Sequence, residues 1–294
     1  MTVAAEIAQP VPAASRASLP LRQRLVPVLL LAPCLIWIAF FFVLPFGLMA
    51  WRSFSSDGFS DYATLFTSPL YTKVMLTTVR TAAVATVLAL LLAYPLAYAL
   101  TVAGGKLRAL ILVFVFIPYW VDIIVRSFSW LILLGDNGLF NKMLGALGLG
   151  PLQLLYTPFS VLVAMVQILL PLTTVVLFGA MLRIDRTLVA AAKIHGASGW
   201  QAFRTVFFPL SLPGVYGAGL LLFVLSLGFY VTPALLGSPR QTMIAQTIMV
   251  EASELLDWEQ ASAAGVVLLL VTTLIAWLYN RYFSLDRLWG GSEP

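Results

Sequence analysis

Long hydrophobic runs, separated by short polar stretches, occupy most of this chain. Six of them are long enough for a helix to cross a bilayer, which takes about 20 apolar residues. They lie at 27–51, 78–102, 108–134, 159–182, 213–237 and 261–281. The pattern predicts an all-α, polytopic membrane protein with six transmembrane helices.

Composition agrees with that class. Hydrophobic residues make up 61% of the 294 residues and charged residues 10%, against about 25% charged in an ordinary soluble domain. The lipid bilayer is therefore the expected surroundings of most of the chain. The net charge of +5 comes from basic residues scattered between apolar runs, so we expect no nucleic-acid partner. Cys34 is the one cysteine, which excludes a disulfide within the chain, and we predict no metal site.

The ends of the chain differ from its middle. Residues 1–24 hold little that packs, and we expect a disordered cytoplasmic tail there. Residues 25–284 form the predicted six-helix transmembrane domain, and 285–294 a cytoplasmic C-terminal tail. Six spans put both termini on the same side as the second and fourth loops, where 11 of the 17 lysine and arginine residues fall. Positive residues favour the cytoplasm, so both termini are predicted to be inside.

The longest loop on that side, residues 183–212, begins with a predicted helix. Asp185 is a plausible N-cap. The alanines that follow, Ala190, Ala191 and Ala192, are strong helix formers. Gly196 can end the helix in a left-handed conformation at little steric cost.

A second short helix is predicted to follow. Ser198 and Gln201 have the S-x-x-Q spacing of a capping box. Pro209 and Pro213 are expected to interrupt the chain before the fifth span. The residues alone leave two interpretations open, an amphipathic loop lying on the membrane surface or a surface that a partner grips.

Polar residues inside the predicted spans are candidates for a solute pathway. Asp122 and Arg126 are four apart and are expected on one face of a helix, beside the pathway or as a structural ion pair. Tyr119 and Trp120 adjoin Pro118, where a broken helix could mark a binding site or simply a kink. Polar spanning residues also glue helices together. The remaining candidates are Gln167, Thr173, Thr174, Ser226, Tyr230 and Thr232.

Motifs for nucleotide hydrolysis are missing from the sequence. A Walker A loop needs G-x-x-x-x-G-K-[ST], and the nearest stretch, 104–107, reads GGKL. No catalytic set is recognisable, so we predict no enzyme activity. A carrier driven by an ion gradient is a remaining alternative, although only Asp122 is an acid deep in a predicted span.

The loop resembles the EAA loop of binding-protein-dependent ABC transporter permeases. The pattern A-A-x-x-x-G-A-S is followed by a run ending in P-L-S-L-P-G. Ala190 stands where that family usually has a glutamate, and His195 where it usually has an apolar residue. The matching residues are Ala191, Ala192, Gly196, Ala197, Ser198, Pro209, Pro213 and Gly214.

Further stretches are similar to the polyamine branch of these permeases. They are Ile117-Pro118-Tyr119-Trp120 with Arg126 and Trp130, Leu134-Gly135 with Gly138-Leu139 and Asn141, Leu170-Pro171, and the run from Phe229 to Gly237. The similarity extends from about Arg22 to the end of the sixth span.

This resemblance implies a cytoplasmic coupling helix, within residues 183–212, that docks on an ATPase. The partners it implies are a dimer of cytoplasmic ABC ATPases carrying ATP and magnesium, a second permease of different sequence, and an extracytoplasmic solute-binding protein, all at a bacterial inner membrane. The chain itself would hold no cofactor. The solute would be a polyamine, with an opine, phosphonate or amino-acid-like solute as the alternative. The expected ATPase-coupling residues are Ala190, Ala191, Ala192, His195, Gly196, Ala197 and Ser198. The expected pathway residues are Tyr119, Trp120, Asp122, Arg126, Gln167, Thr173, Ser226, Tyr230 and Thr232.

Overall fold

Helices account for nearly all of the regular structure in this computed structural model, which describes residues 31–55 and 60–283. No β-strand occurs within those two ranges. Six helices in them are long and apolar enough to cross a membrane, which confirms the predicted all-α, six-span class. The predicted tails, 1–24 and 285–294, lie outside the described residues.

The first span, α1 (Leu31–Phe54), contains a π-helical stretch at Ala39–Val43. Among the described residues, those up to Trp51 belong to one compact unit and those from Arg52 onward to a second. After the last residues of α1, the second unit continues with the short helix α2 (Ser60–Thr67) and the second span, α3 (Pro69–Val102).

The third hydrophobic run, 108–134, is not the single helix that the sequence predicts. It is divided into α4 (Gly105–Phe116), a 3-10 turn at Ile117–Trp120 and α5 (Ile123–Leu134). Pro118 lacks an N–H and so cannot donate the hydrogen bond that would continue α4. Val121 and Asp122 then take ψ angles of 134° and 146°, which ends the turn. A further short helix, α6 (Leu139–Ala146), follows a break at Gly135. The stretch of this region that is long and apolar enough to cross a membrane is Ile123–Ala146, which joins α5 and α6, rather than the predicted 108–134.

The fourth span, α7 (Pro158–Leu182), begins with a capping box formed by Thr157 and Ser160. It packs along α3. The contacting face of α3 is a stripe of alanines that are fully buried, and such small side chains let two helices approach closely. The stripe consists of Ala82, Ala85, Ala89, Ala93 and Ala97.

The remaining elements complete the second unit. The loop after α7 contains α8 (Arg186–Ile194), and α9 (Gly199–Ala202) leads through a π-helical stretch, Phe203–Phe207, into α10 (Phe208–Leu227). Beyond it lie α11 (Val231–Leu236), a 3-10 turn at Pro239–Gln241, α12 (Ile244–Ser253) and α13 (Trp258–Phe283).

The fifth span therefore differs from the prediction, because residues 199–227 form one continuous helical segment. Pro209 follows the π-helical stretch directly, in the first turn of α10, and Pro213 lies inside that helix. The predicted interruption at these prolines is wrong. The span also ends at Leu227 rather than at 237.

Candidate coupling loop and translocation pathway

The first helix of the loop, α8, is capped at both ends by its own sequence. The Asp185 carboxylate accepts a hydrogen bond of 2.8 Å from the Thr187 backbone N–H. This bond lowers the pKa of the exposed Asp185 carboxyl below its ordinary value, because it favours the ionised form. At the other end, Gly196 has φ +90°, a conformation that few residues besides glycine adopt.

The turn after α8 is a Schellman motif. The Gly196 N–H donates to the Lys193 carbonyl, and the Ala197 N–H donates to the Ala192 carbonyl, both at 3.0 Å. A capping box then starts α9: the Ser198 N–H donates to Gln201 Oε1 at 2.8 Å, and the Gln201 N–H donates to Ser198 Oγ at 3.2 Å. The Schellman motif that ends α8 and the capping box that starts α9 thus fix a sharp turn between the two helices.

One face of this loop is open to the surroundings. Ile194 is 84% exposed, Trp200 is 69% exposed and Leu188 is also exposed. Of the seven expected coupling residues, all are exposed except the half-buried Ala192 and Ala197. Exposed apolar side chains grouped on a short loop are typical of a protein-binding surface.

The opposite face of the loop is attached to the spans. Arg186 Nη2 donates a hydrogen bond to the carbonyl of Thr101, near the end of α3. Val189 and Ile184 pack against a buried cluster that includes Met181 of α7 and Phe207. The loop is therefore in contact with three spans, so that a displacement of α8 would be transmitted to all of them.

Aromatic rings extend this attachment from Phe207 through Phe203 to Trp200, whose side chain is still largely exposed and so borders the open face. These rings were not among the residues predicted from the sequence. Trp200 stacks on Phe203 with ring centroids 5.5 Å apart. Tyr98 of α3 meets Phe203 at 5.1 Å and Phe207 at 5.0 Å, both edge to face. Spacings of three and four residues place 200, 203 and 207 on one helix face, and this is the signal that could have revealed the cluster.

A cavity of about 400 Å³ brings together two of the expected pathway residues, Tyr119 and Tyr230. Leu169, Leu172 and Phe229 also line it. Its lining is apolar and aromatic, and the described lining residues carry no formal charge.

Several expected pathway residues do not reach this cavity. Asp122 lies just before α5 rather than within a helix, and its carboxylate caps that helix by accepting from the Ile124 N–H at 2.8 Å. Thr173 is fully buried and donates to the Leu169 carbonyl at 2.7 Å. Thr232 is fully buried and lies 3.3 Å from Ser127 Oγ, within hydrogen-bond distance. The two threonines bond within and between helices, as polar residues that hold spans together do. Trp120 is 87% exposed.

Three other expected pathway residues keep buried polar atoms without a hydrogen-bond partner among the described residues. These atoms are Arg126 Nε and Nη1, Gln167 Oε1 and Ser226 Oγ. A buried polar group without a partner costs about 1–3 kcal/mol. Water, solute or another chain would have to satisfy them.

The described residues therefore form a helical membrane protein in which two short helices and their sharp turn lie exposed and attached to the spans. Residues 85–284 match the family described as the binding-protein-dependent transport system inner membrane component. The chain belongs to this family, as its EAA-like loop predicts. It is therefore the non-catalytic inner-membrane subunit of a transport system.

Individual relatives agree. The spermidine/putrescine transport system permease protein PotB of Escherichia coli (strain K12) is 30% identical over 256 residues, which cover 83% of this chain and 93% of that protein. PotB of Salmonella typhimurium (strain SL1344) is also 30% identical, with 83% and 89% covered. A chain in the crystal structure of a bacterial alginate ABC transporter, in complex with an alginate pentasaccharide-bound periplasmic protein, has a TM-score of 0.73. It is 20% identical, with 88% of this chain and 94% of that chain covered, and so shows the same fold.

Proposed function

We propose that this chain is a permease subunit of an ATP-binding-cassette importer and forms half of the translocation pathway for a polyamine. The observation that carries the proposal is the loop 183–212, whose α8 is exposed on one face and bonded to α3 through Arg186 on the other. Its Schellman turn and capping box hold this shape without help from other elements. A rigid projection of this kind can transmit force into the bilayer.

The force would come from a dimer of cytoplasmic ATPases, which would hold ATP and magnesium. Ile194, Trp200 and Leu188 supply the apolar contact area for such a partner. Closure of the two ATPases on ATP would move α8, and the contacts of Arg186 and the aromatic cluster would carry that movement to α3 and α10. The cavity would then open to the other side of the membrane. The hydrolytic chemistry belongs to the ATPases in this scheme.

The solute and the other partners are inferred from the relatives. PotB is named as a spermidine/putrescine permease, and the alginate transporter was crystallised with a periplasmic protein. We infer an extracytoplasmic binding protein that delivers a polyamine, and a second permease of different sequence that forms the other half of the pathway. The excess of basic residues in the loops supports an orientation with both termini in the cytoplasm.

The cavity at Tyr119 and Tyr230 suits part of a cationic solute. Aromatic faces attract ammonium groups, and Phe229 adds a third ring to its lining. Arg126, Gln167 and Ser226 are proposed as polar pathway residues that find their partners in water or solute. Arg126 also favours one alternative, an anionic organic solute such as an opine or a phosphonate.

Reconstitution of the whole transporter tests this function. We expect liposomes containing this chain, its second permease and its ATPases to take up radiolabelled spermidine or putrescine only with ATP and the binding protein. A Walker A lysine variant of the ATPase is the control and should be inactive. ATP-driven uptake of a phosphonate without uptake of a polyamine would favour the anionic solute. Uptake without any ATPase would indicate an ion-driven carrier and contradict the proposal.

A further inference from the structure

A second cavity, of about 260 Å³, contains two arginines that belong to different parts of the chain. Arg80 lies on α3, and Arg240 lies on the 3-10 turn that follows α11. Thr77 and Thr81 are three residues before and one residue after Arg80, and both also line the cavity. Counted from Thr77, Arg80 and Thr81 are at i+3 and i+4, positions that share one face of a helix, so α3 presents a guanidinium and two hydroxyls to the cavity.

The electrostatic character of this cavity is positive. Arg80 and Arg240 both line it, and the described residues around it include no carboxylate. Neither guanidinium makes an ion pair or a hydrogen bond with any residue that the structure describes. Two unneutralised guanidinium groups at one cavity repel each other, and an anion between them would remove that cost.

The first turn of α7 adds to this positive character. Pro158, the first residue of α7, lines the same cavity. The N-terminus of a helix carries about half a positive charge and favours anions nearby. Gln241 completes the polar part of the lining.

The depth of the cavity along the spans indicates what anion it meets. At 1.5 Å per residue, Arg80 lies about 33 Å along α3 from Val102, the end of that helix on the side of the coupling loop. Pro158 lies about 36 Å along α7 from Leu182 by the same measure. The hydrocarbon core of a bilayer is about 30 Å thick. With Val102 and Leu182 taken as one edge of the hydrocarbon core, both residues fall at the level of the phosphate groups in the leaflet opposite the loop 183–212.

We propose that this cavity is a binding site for a phosphate group, held between Arg80 and Arg240. Guanidinium groups bind phosphate in a bidentate manner, and the hydroxyls of Thr77 and Thr81 can donate further hydrogen bonds. The phosphate belongs to an anionic phospholipid headgroup or to a free phosphate anion, and the two sources share this recognition chemistry. The site is separate from the aromatic cavity at Tyr119 and Tyr230.

The test compares the purified transporter with a variant in which this chain carries Arg80→Gln and Arg240→Gln. One arm uses native mass spectrometry after incubation with mixed phosphatidylcholine and phosphatidylglycerol, and counts the phosphatidylglycerol retained. The other arm measures binding of radiolabelled inorganic phosphate in nanodiscs of phosphatidylcholine alone. We expect each arginine to contribute roughly fivefold in affinity, so that the double variant binds roughly 25-fold more weakly.

Lys73→Gln is the matched control, because it removes one positive charge from the same helix at a residue that does not line the cavity. It should bind as the wild type does. Loss of phosphatidylglycerol only in the arginine variant would support a lipid site, and loss of inorganic phosphate only in that variant would support a free-anion site. Equal retention of lipid and phosphate by wild type and variant would overturn the proposal. If the double variant fails to assemble, Arg240→Gln alone answers the question, because that side chain is exposed on a short turn.

Discussion

Replacement of Gly196 by valine should uncouple the transporter while leaving the chain in the membrane. Gly196 has φ +90° and supplies one of the two Schellman hydrogen bonds that end α8. A residue other than glycine in a sparsely populated backbone region costs about 1–3 kcal/mol, and a β-branched side chain belongs at the upper end. No heavy atom lies within 4 Å of the position that a Cβ would take, so the cost is backbone strain rather than a clash.

At 1.4 kcal/mol for each factor of ten, a cost of 2–3 kcal/mol would reduce the population of the native turn by roughly 30- to 150-fold relative to competing turns. The direction of α8 relative to α9 would then be lost in most molecules. We expect ATP-driven uptake in proteoliposomes to fall at least tenfold, while the amount of inserted, monodisperse protein stays the same. Uptake by the Gly196→Asn variant should lie between that of the wild type and that of Gly196→Val, since asparagine tolerates this backbone region better than valine.

Gly199→Val is the matched control for this experiment. Gly199 is the first residue of α9, it has ordinary helical geometry, and no heavy atom lies near its would-be Cβ either. Its variant should retain most of the uptake. Wild-type uptake by Gly196→Val would refute the idea that the turn transmits force, as would equal losses in the two valine variants.

Two further predictions concern stability. Gly214→Val should lower the free energy of unfolding by about 1–3 kcal/mol, because a Cβ at Gly214 would lie 2.5 Å from the Cβ of Ala180. Unfolding in detergent measures this change. Gly179→Ala is the control and should have little effect, because the space around Gly179 is open. Burial raises the pKa of the Glu251 carboxyl above its ordinary value, so its contribution to stability is complete below the unfolded-state pKa of about 4.3 and is lost as the pH rises through the higher folded-state pKa. Glu251→Gln should remove this loss of stability with rising pH, so the variant should be more stable than the wild type at neutral pH. Glu254→Gln should leave the pH dependence of stability unchanged. A wild-type pH profile of stability in the Glu251→Gln variant would contradict the prediction.

Local signals in the sequence were sufficient to predict the structure of the loop 183–212. Asp185, Gly196 and the pair Ser198 and Gln201 act on residues within five positions of themselves, so their hydrogen bonds follow from spacing alone. The number of spans could also be predicted, because the hydropathy of a segment indicates whether lipid or water surrounds it. These features depend on local chemistry, and the structure has them as predicted.

Breaks and continuities of helices were harder to predict, because an apolar run looks the same on both sides of a kink. Pro118 ends a helix, whereas Pro209 lies in the first turn of one and Pro213 lies inside one. The π-helical stretch Phe203–Phe207 carries the chain through this region, and its Phe203 packs edge to face on Tyr98 of α3. The presence of a proline alone does not tell whether a helix ends, begins or continues at that residue.

Contacts between residues that are far apart in the chain could not be predicted from the sequence. Tyr119 and Tyr230 share a cavity, whereas Thr173 and Thr232 turn their hydroxyls to helix partners. Polarity in a span is the same signal in both cases, and the direction of the side chain decides the outcome.

The side of the membrane on which α8 lies tests the central claim most directly. Lys193 is exposed on α8, and Lys193→Cys in a Cys34→Ser background gives one cysteine in the loop. Glu254→Cys, in the exposed turn between α12 and α13, is the control on the opposite side. We predict that an impermeant maleimide labels Lys193→Cys only in inside-out vesicles and Glu254→Cys only in intact spheroplasts. Labelling of Lys193→Cys in intact spheroplasts would put the loop beyond the reach of a cytoplasmic ATPase and contradict the account.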